Sequence, residues 1–206
     1  MNFSIRPLDR SFAGEVTGVD LQDPLSPEAV ASIEAGMDRY AVLVFRGQDI
    51  SDEQQLSFSR NFGLVESSIG GNITRPDQRR LNVDFADVSN LDENHRIYAR
   101  DDRRRLFNLA NQLWHSDSSF RATPAKYSLL SARSLPEQAP DTEFADMRAA
   151  YDVLDSATQV EVEDLVCEHS LMYSRGLLGF SDFTDEERQT FAPVRQVLGR
   201  EHPGTG

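Results

Sequence analysis

The stretch Trp114-His115-Ser116-Asp117 carries the most specific chemistry in this chain of 206 residues. A histidine and a carboxylate two residues apart point to the same side of an extended strand, so both side chains can reach one metal ion. A third ligand from elsewhere would complete the two-histidine, one-carboxylate site of non-haem Fe(II) enzymes, which leaves open positions for substrate chemistry. The alternative interpretation of the bare tripeptide is structural: a buried strand histidine that is hydrogen-bonded to the nearby aspartate.

The composition is that of an ordinary folded protein. Hydrophobic residues make up 39% of the chain and charged residues 27%, which is typical of a globular domain. The net charge of −13 repels phosphate backbones, so we expect no nucleic-acid partner. The single cysteine, Cys167, excludes an intrachain disulfide, and no segment has the apolar length of a membrane span. We therefore expect a cytoplasmic protein with no membrane partner.

Helix-capping signals and apolar runs predict alternating helices and short strands. Helix starts are predicted at four signals: Ser26-Pro27, Ser51 with Gln54, Ser156 with Gln159, and Thr184 with Glu187. Strands are predicted over residues 40–45, 81–88, 127–132 and 142–145. No internal repeat and no domain boundary interrupts this pattern, so we expect a single domain over residues 1–206.

Residues 64–110 have no regular period, and Gly70-Gly71 and Pro76 interrupt them. A long irregular stretch in a compact domain predicts a mobile lid. Within it, residues 103–105 are three consecutive arginines that follow Asp101-Asp102. We favour a solvated loop whose arginines are balanced by these aspartates. The other interpretation is a cationic rim that attracts an anionic substrate.

Several blocks of the sequence, in the same order, resemble the taurine dioxygenase and 2,4-dichlorophenoxyacetate dioxygenase family, the Fe(II)/2-oxoglutarate-dependent oxygenases. These blocks are residues 14–21, 42–48, 54–63, 111–120, 141–144 and 147–151. They are collinear, so the resemblance is far more specific than one tripeptide and favours the metal interpretation of His115 and Asp117. Residues 174–179, Ser-Arg-Gly-Leu-Leu-Gly, are closer to the aryloxyalkanoate branch than to the taurine branch. The substrate-binding histidine of the taurine enzymes has no counterpart between Gly63 and Asn94.

The resemblance implies an α+β fold, a double-stranded β-helix (jelly roll) with flanking helices. It implies Fe(II) and the co-substrate 2-oxoglutarate, with His115 and Asp117 as metal ligands and Thr142 hydrogen-bonded to 2-oxoglutarate. Asn111 matches a position near the substrate. The expected reaction is the hydroxylation by O2 of a small anionic substrate, an aryloxyalkanoate such as 2,4-dichlorophenoxyacetate, with release of succinate and CO2. Family members often self-associate, so a homo-oligomer is also expected.

The chain departs from the family pattern at two internal places. Ala139-Pro140 stands where the family usually has Gly-Gly, and proline stiffens the loop that presents Thr142. The carboxylate-binding lysine expected between residues 64 and 75 has no counterpart. Arg75, Arg79 or Arg80 could take its place as the group that binds the substrate carboxylate.

The last residues, 202–206, resemble a family turn that precedes the distal metal-binding histidine and the arginine that binds 2-oxoglutarate. We therefore expect residues 1–206 to be the N-terminal portion of the oxygenase domain, without its C-terminal strands, and to expose apolar surface. Two alternatives stay open. One is the same chemistry on an alkyl sulfonate or sulfate ester, as in taurine dioxygenase, and the other is a non-catalytic binding module that lacks the distal groups.

Overall fold

The computed structural model describes residues 3–9, 12–68, 72–138 and 141–205, and within them the chain is α+β with small sheets. The strands are β1 (Ser4–Pro7), β2 (Gly14–Thr17), β3 (Leu43–Phe45), β4 (Val166–His169) and β5 (Val194–Val197). The helices are α1 (Pro27–Tyr40), α2 (Asp52–Arg60), α3 (Arg103–Asn108), α4 (Met147–Asp152), α5 (Ser156–Glu163), α6 (Leu171–Gly176) and α7 (Asp185–Thr190). Short 3-10 helices cover Pro76–Gln78 and Leu109–Gln112.

The chain forms two compact units. The first contains Met1–Val65, Leu129–Asp164 and Gly199–Gly206, and the second contains Glu66–Ser128 and Leu165–Leu198. A single domain with a mobile lid over residues 64–110 stays a prediction. Two of the motifs noted in the sequence, Gly70-Gly71 and Ala139-Pro140, lie outside the described residues.

The first unit is built on a three-stranded sheet in the order β1-β2-β3. Strand β1 is antiparallel to β2, whereas β2 and β3 are parallel. Because parallel neighbours need a crossover connection, α1 lies between β2 and β3 in the sequence. The core of this unit contains Leu21, Ile33, Ile50 and Phe58. The ring of Phe58 also meets that of Phe45 edge-on, with the ring centroids 5.5 Å apart.

The second unit pairs β4 with β5 in antiparallel register and packs a cluster of phenylalanines. Phe107, on α3, is only 2% exposed. Its ring lies edge-on to those of Phe180 and Phe183, at centroid distances of 5.6 Å and 6.4 Å. This core therefore anchors α3, and with it the 3-10 helix and the segment around His115 that follow directly in the chain.

Three of the four predicted helix starts are confirmed, at Ser26, Ser51 and Thr184. The fourth is wrong by one residue, because α5 is capped by Asp155 and not by Ser156. The Asp155 carboxylate accepts hydrogen bonds from the backbone N–H groups of Ala157 and Thr158, each at 3.0 Å. One carboxylate oxygen thus satisfies two amide groups at the start of this helix.

Most of the predicted strands are wrong. The run over 40–45 is a strand only from Leu43, because Ala41 takes a left-handed conformation with a φ of 58° and ends α1. Among the described residues, 81–88, 127–132 and 142–145 pair with no neighbouring strand. An apolar run becomes a strand only where a partner satisfies its backbone groups, and the run itself does not specify that partner.

Large apolar side chains are exposed at many positions of both units. Those at least two-thirds exposed include Leu64, Ile97, Trp114, Leu130, Leu135, Met147, Val153, Val160 and Tyr173. The apolar surface expected for residues 1–206 is therefore present. None of the helices in the described ranges has the length and apolar character needed to cross a bilayer.

We predict that Phe107→Ala destabilises the protein by about 3–5 kcal/mol, because it leaves a cavity in the phenylalanine cluster. The matched control is Phe144→Ala at a side chain that is 56% exposed, for which a change within about 0.5 kcal/mol is expected. Urea unfolding followed by circular dichroism measures both. Equal losses for the two variants would contradict the assignment of Phe107 to the core.

Candidate metal centre

His115 lies in the irregular segment that follows the 3-10 helix Leu109–Gln112, and Asp117 is the first residue of the turn after it, so neither residue is in a strand. The strand expected here is therefore wrong. The convergence of the two side chains is nevertheless present, because His115 Nε2 lies 3.3 Å from Asp117 Oδ1. The two side chains thus converge where the irregular segment enters the turn, without a paired strand to hold them.

The backbone fixes which nitrogen of His115 carries hydrogen. Nδ1 lies 2.6 Å from the carbonyl oxygen of Leu113, and because a carbonyl only accepts, Nδ1 must be the donor. In the neutral ring Nε2 then presents its lone pair to the Asp117 carboxylate. At this distance the two atoms are compatible either with a proton on Nε2, which makes them an ion pair, or with a metal cation bound to both.

This pair fits a divalent metal ion. Two ligand atoms that lie about 2.1 Å from a metal ion at a right angle are about 3.0 Å from each other, close to the observed separation of Nε2 and Oδ1. The side chains of His115 and Asp117 are 48% and 60% exposed, which rules out the buried-histidine interpretation. In the described parts of the chain, no group of three histidine, cysteine or acidic side chains is close enough to hold a metal.

The turn after Asp117 is held by Glu66, a residue that no sequence pattern indicated. Ser118 has a positive φ of 55°, a conformation that costs a residue other than glycine about 1–3 kcal/mol. Its hydroxyl donates to Glu66 Oε2 at 2.9 Å, and its carbonyl accepts from the backbone N–H of Arg121 at 2.9 Å. These bonds hold the chain in the shape that directs Asp117 toward His115.

Glu66 also ties the far end of this turn. Its Oε1 lies 2.9 Å from Arg121 Nε, and Arg121 Nη2 donates to the carbonyl of Ser67 at 2.9 Å. Gln196, on β5, donates to the carbonyl of Arg121 at 2.6 Å. No spacing rule finds Glu66, because it is 52 residues away from Ser118 in the sequence.

Asn111, the predicted substrate residue, lies on the 3-10 helix Leu109–Gln112, four residues before His115. Its Oδ1 accepts a hydrogen bond from Arg175 Nη2 at 3.1 Å. Asn111 is exposed, so its amide is open to a ligand on the side away from Arg175.

The two arginines predicted to bind the substrate carboxylate have different surroundings. Arg75 is exposed at the start of the 3-10 helix Pro76–Gln78. Arg79 is half-buried, and its Nη1 donates to Ser68 Oγ at 3.2 Å while its buried Nε has no hydrogen-bond partner in the described structure. Arg79 lines a cavity of about 20 Å³, which has room for about one water molecule.

Arg80, the third candidate, is already paired. Its guanidinium donates two hydrogen bonds to Asp87, at 3.0 Å and 2.7 Å. Thr142 belongs to the first compact unit, whereas His115 and Asp117 belong to the second. Thr142 is exposed and lies in an irregular segment, so the strand predicted around it is absent.

The arginine run at residues 103–105 forms the first turn of α3, so the predicted loop is wrong. The predicted balance by the neighbouring aspartates is confirmed only for Arg104, which pairs with Asp102. Arg103 pairs with Glu187 and Asp182, and Arg104 pairs with Asp102 and Glu93. The hydrogen bonds from Arg104 lower the pKa of Asp102 below its ordinary value. Because these two arginines are committed to carboxylates, they do not form a free cationic rim.

The known proteins that this chain resembles are dioxygenases. Residues 4–206 match the family described as "Taurine catabolism dioxygenase TauD, TfdA family". The chain is 44% identical over 206 residues to the alpha-ketoglutarate-dependent 2,4-dichlorophenoxyacetate dioxygenase of Cupriavidus pinatubonensis, which covers 100% of this chain and 71% of that enzyme. It is 35% identical over 213 residues to the (S)-phenoxypropionate/alpha-ketoglutarate-dioxygenase of Sphingobium herbicidovorans, over 99% of this chain and 68% of that enzyme.

A solved structure extends this similarity to three dimensions. The crystal structure of AAD-2 in complex with Mn(II) and N-oxalylglycine superposes on this chain with a TM-score of 0.95 at 57% identity. The superposition covers 98% of this chain and 70% of that one. The chain thus spans about 70% of the length of the relatives it matches.

We predict that His115→Ala weakens Mn(II) binding by roughly 100-fold or more. Mutation of a residue that only hydrogen-bonds a metal ligand already lowers metal affinity by about 10–100-fold, and loss of a ligand should cost at least as much. Trp114, the single tryptophan of the chain and the neighbour of His115, reports binding through quenching of its fluorescence. The control is His95→Ala, at an exposed histidine in the turn near the bridge between Leu91 and Ile97. A dissociation constant unchanged by His115→Ala would contradict a metal site here.

Proposed function

Because the chain belongs to the TauD/TfdA family of dioxygenases, we propose that it is an Fe(II)- and 2-oxoglutarate-dependent dioxygenase. Its substrate is a small anionic aryloxyalkanoate such as 2,4-dichlorophenoxyacetate. The reaction inserts one atom of O2 into a C–H bond of the substrate and the other into succinate, with release of CO2. The observation that carries this proposal is the facing pair of donor atoms, His115 Nε2 and Asp117 Oδ1, at 3.3 Å.

In this proposal His115 and Asp117 hold the ferrous ion. When bound, the iron supplies the activation of O2 that is coupled to decarboxylation of 2-oxoglutarate. The protein groups fix the ligands: the Leu113 carbonyl keeps hydrogen on Nδ1 and leaves Nε2 for the metal. Glu66 holds Ser118 and so keeps the Asp117 carboxylate directed at the same point.

The remaining roles follow the family pattern and the chemistry of the side chains. Thr142 donates a hydrogen bond to 2-oxoglutarate, for which its exposed hydroxyl is free to turn. Asn111 contacts the substrate from the 3-10 helix before His115. Of the two candidates for the substrate carboxylate, Arg75 is exposed and so accessible to a ligand, whereas Arg79 is half-buried beside a cavity with room for only about one water molecule. Arg79 is the alternative.

The fold and assembly are proposed on the same basis. The jelly roll with flanking helices is supported by the TM-score of 0.95 with AAD-2, a protein whose crystal structure contains a metal and N-oxalylglycine. N-oxalylglycine has the skeleton of 2-oxoglutarate with an N–H in place of a methylene group, which supports 2-oxoglutarate as the co-substrate here. Residues 64–110 as a lid over the site, and a homo-oligomer, are further parts of the proposal.

The experiment that tests this function measures succinate formed from 2-oxoglutarate, with Fe(II) and O2, in the presence of each candidate substrate. We expect 2,4-dichlorophenoxyacetate to stimulate succinate formation far more than taurine or an alkyl sulfate does. If taurine or the alkyl sulfate is turned over faster, the substrate is an alkyl sulfonate or sulfate ester and not an aryloxyalkanoate. Binding of 2,4-dichlorophenoxyacetate without any succinate would indicate a non-catalytic binding module.

We predict that Thr142→Val raises the KM for 2-oxoglutarate about fivefold, because it removes one hydrogen bond worth about 1 kcal/mol while keeping the shape of the side chain. The KM for the aryloxyalkanoate should not change. Thr190→Val, at the exposed end of α7, is the matched control. An unchanged KM for 2-oxoglutarate in Thr142→Val would remove Thr142 from the site.

A further inference from the structure

Arg175 is a partly buried cation without a counter-ion in the described structure. It lies on α6, within the residues 174–179 that resemble the aryloxyalkanoate branch. No ion pair joins Arg175 to a carboxylate in the described ranges. Its Cζ lies 4.6 Å from the ring centroid of Phe107, and its buried Nε has no hydrogen-bond partner in the same ranges. Burial without a compensating charge lowers the pKa of Arg175 from its ordinary value.

The two side-chain acceptors of Arg175 are both neutral. Nη1 donates to Ser174 Oγ at 3.3 Å, and Nη2 donates to Asn111 Oδ1 at 3.1 Å. A buried charge is costly unless it is compensated, and two neutral acceptors compensate it only in part. The positive charge of Arg175 is therefore only partly compensated, although the chain as a whole has a net charge of −13.

The bond to Arg175 also determines how Asn111 presents its amide. A guanidinium has only donors, so Asn111 must turn Oδ1 toward it. The Nδ2 group of Asn111, which carries two hydrogens, then points the other way, and no acceptor binds it among the described residues. Asn111 thereby offers hydrogen-bond donors, and not an acceptor, four residues from His115.

From these contacts we infer that Arg175 is a positioning residue that selects carboxylate-bearing substrates through Asn111. It orients the Asn111 amide so that N–H groups face the substrate, and it places an uncompensated positive charge behind that amide. An anionic ligand is bound by the N–H groups of Asn111 and is also attracted by the charge of Arg175. A neutral ligand of the same shape gains only the hydrogen bonds from Asn111. This inference rests on the proposed function, in which Asn111 contacts the substrate.

The test compares Arg175→Met and Arg175→Lys with the unaltered protein. The two substrates are 2,4-dichlorophenoxyacetate and its uncharged primary amide. For Arg175→Met we expect the KM for the carboxylate to rise about tenfold or more, because both the orientation of the Asn111 amide and the positive charge behind it are lost. The KM for the amide and the KM for 2-oxoglutarate should change less than about twofold, since one lost neutral contact is worth little. Arg175→Lys, which keeps the charge but loses the planar fork, should recover part of the preference.

A double-variant cycle tests whether Arg175 acts through Asn111. If it does, Arg175→Met should weaken carboxylate binding less in Asn111→Ala than in the unaltered protein, because only the contribution of the charge is left to lose. Losses that add would show that Arg175 acts independently and would overturn the inference. Arg188→Met, at the exposed last turn of α7, is the matched control, and circular dichroism checks that each variant is folded.

Failure of the inference differs from failure of the proposed function. Titration of Trp114 fluorescence with 2,4-dichlorophenoxyacetate in the absence of metal measures binding without turnover. If the unaltered protein binds the carboxylate but produces no succinate, the proposed function fails while the Arg175 variants still decide the inference. Equal weakening of carboxylate and amide in Arg175→Met, or no binding of the carboxylate by the unaltered protein, would overturn the inference.

Discussion

Two electron-rich atoms facing each other at 3.3 Å, His115 Nε2 and Asp117 Oδ1, repel unless a positive charge lies between them. This single constraint gives the candidate site its chemistry. The Leu113 carbonyl removes the alternative in which a hydrogen on Nε2 bonds a neutral ring to the carboxylate, because that carbonyl requires the hydrogen on Nδ1. What remains is either an ion pair with a doubly protonated imidazolium or a cation held by both atoms, and the proposed function rests on the second.

The rest of the second unit serves to hold this pair in place. On one side, Phe107 fixes α3 in the phenylalanine core, and the 3-10 helix that follows α3 leads directly into His115. On the other side, Glu66 holds both ends of the turn after Asp117 through Ser118 and Arg121. A short exposed segment thus gains a defined shape from a buried core and from a charged network at opposite ends.

The features that the sequence predicted correctly are local ones. The helix caps at Ser51 and Thr184 depend on residues three positions apart, and the convergence of His115 and Asp117 depends on two. The strands that were predicted wrongly depend on partners elsewhere in the chain, which an apolar run does not specify. Glu66 and Arg175 escaped prediction for the same reason, since their contacts are 52 and 64 residues away. The local His-x-Asp pattern indicated a metal, whereas the family resemblance supplied 2-oxoglutarate and the roles of Thr142 and Asn111.

The left-handed backbone at Ser118 restricts which sequences can keep this site. A β-branched residue there would clash with its own backbone, so valine, isoleucine and threonine are excluded on steric grounds. Glycine would relieve the strain, but it would lose the hydroxyl that meets Glu66 and would widen the range of shapes open to the turn. Asparagine and aspartate tolerate the backbone, yet aspartate would set a second carboxylate against Glu66. Serine is thus among the few side chains compatible with both the curvature of the turn and its acidic neighbour, and substitutions at this position should be tolerated far less than its place on the surface suggests.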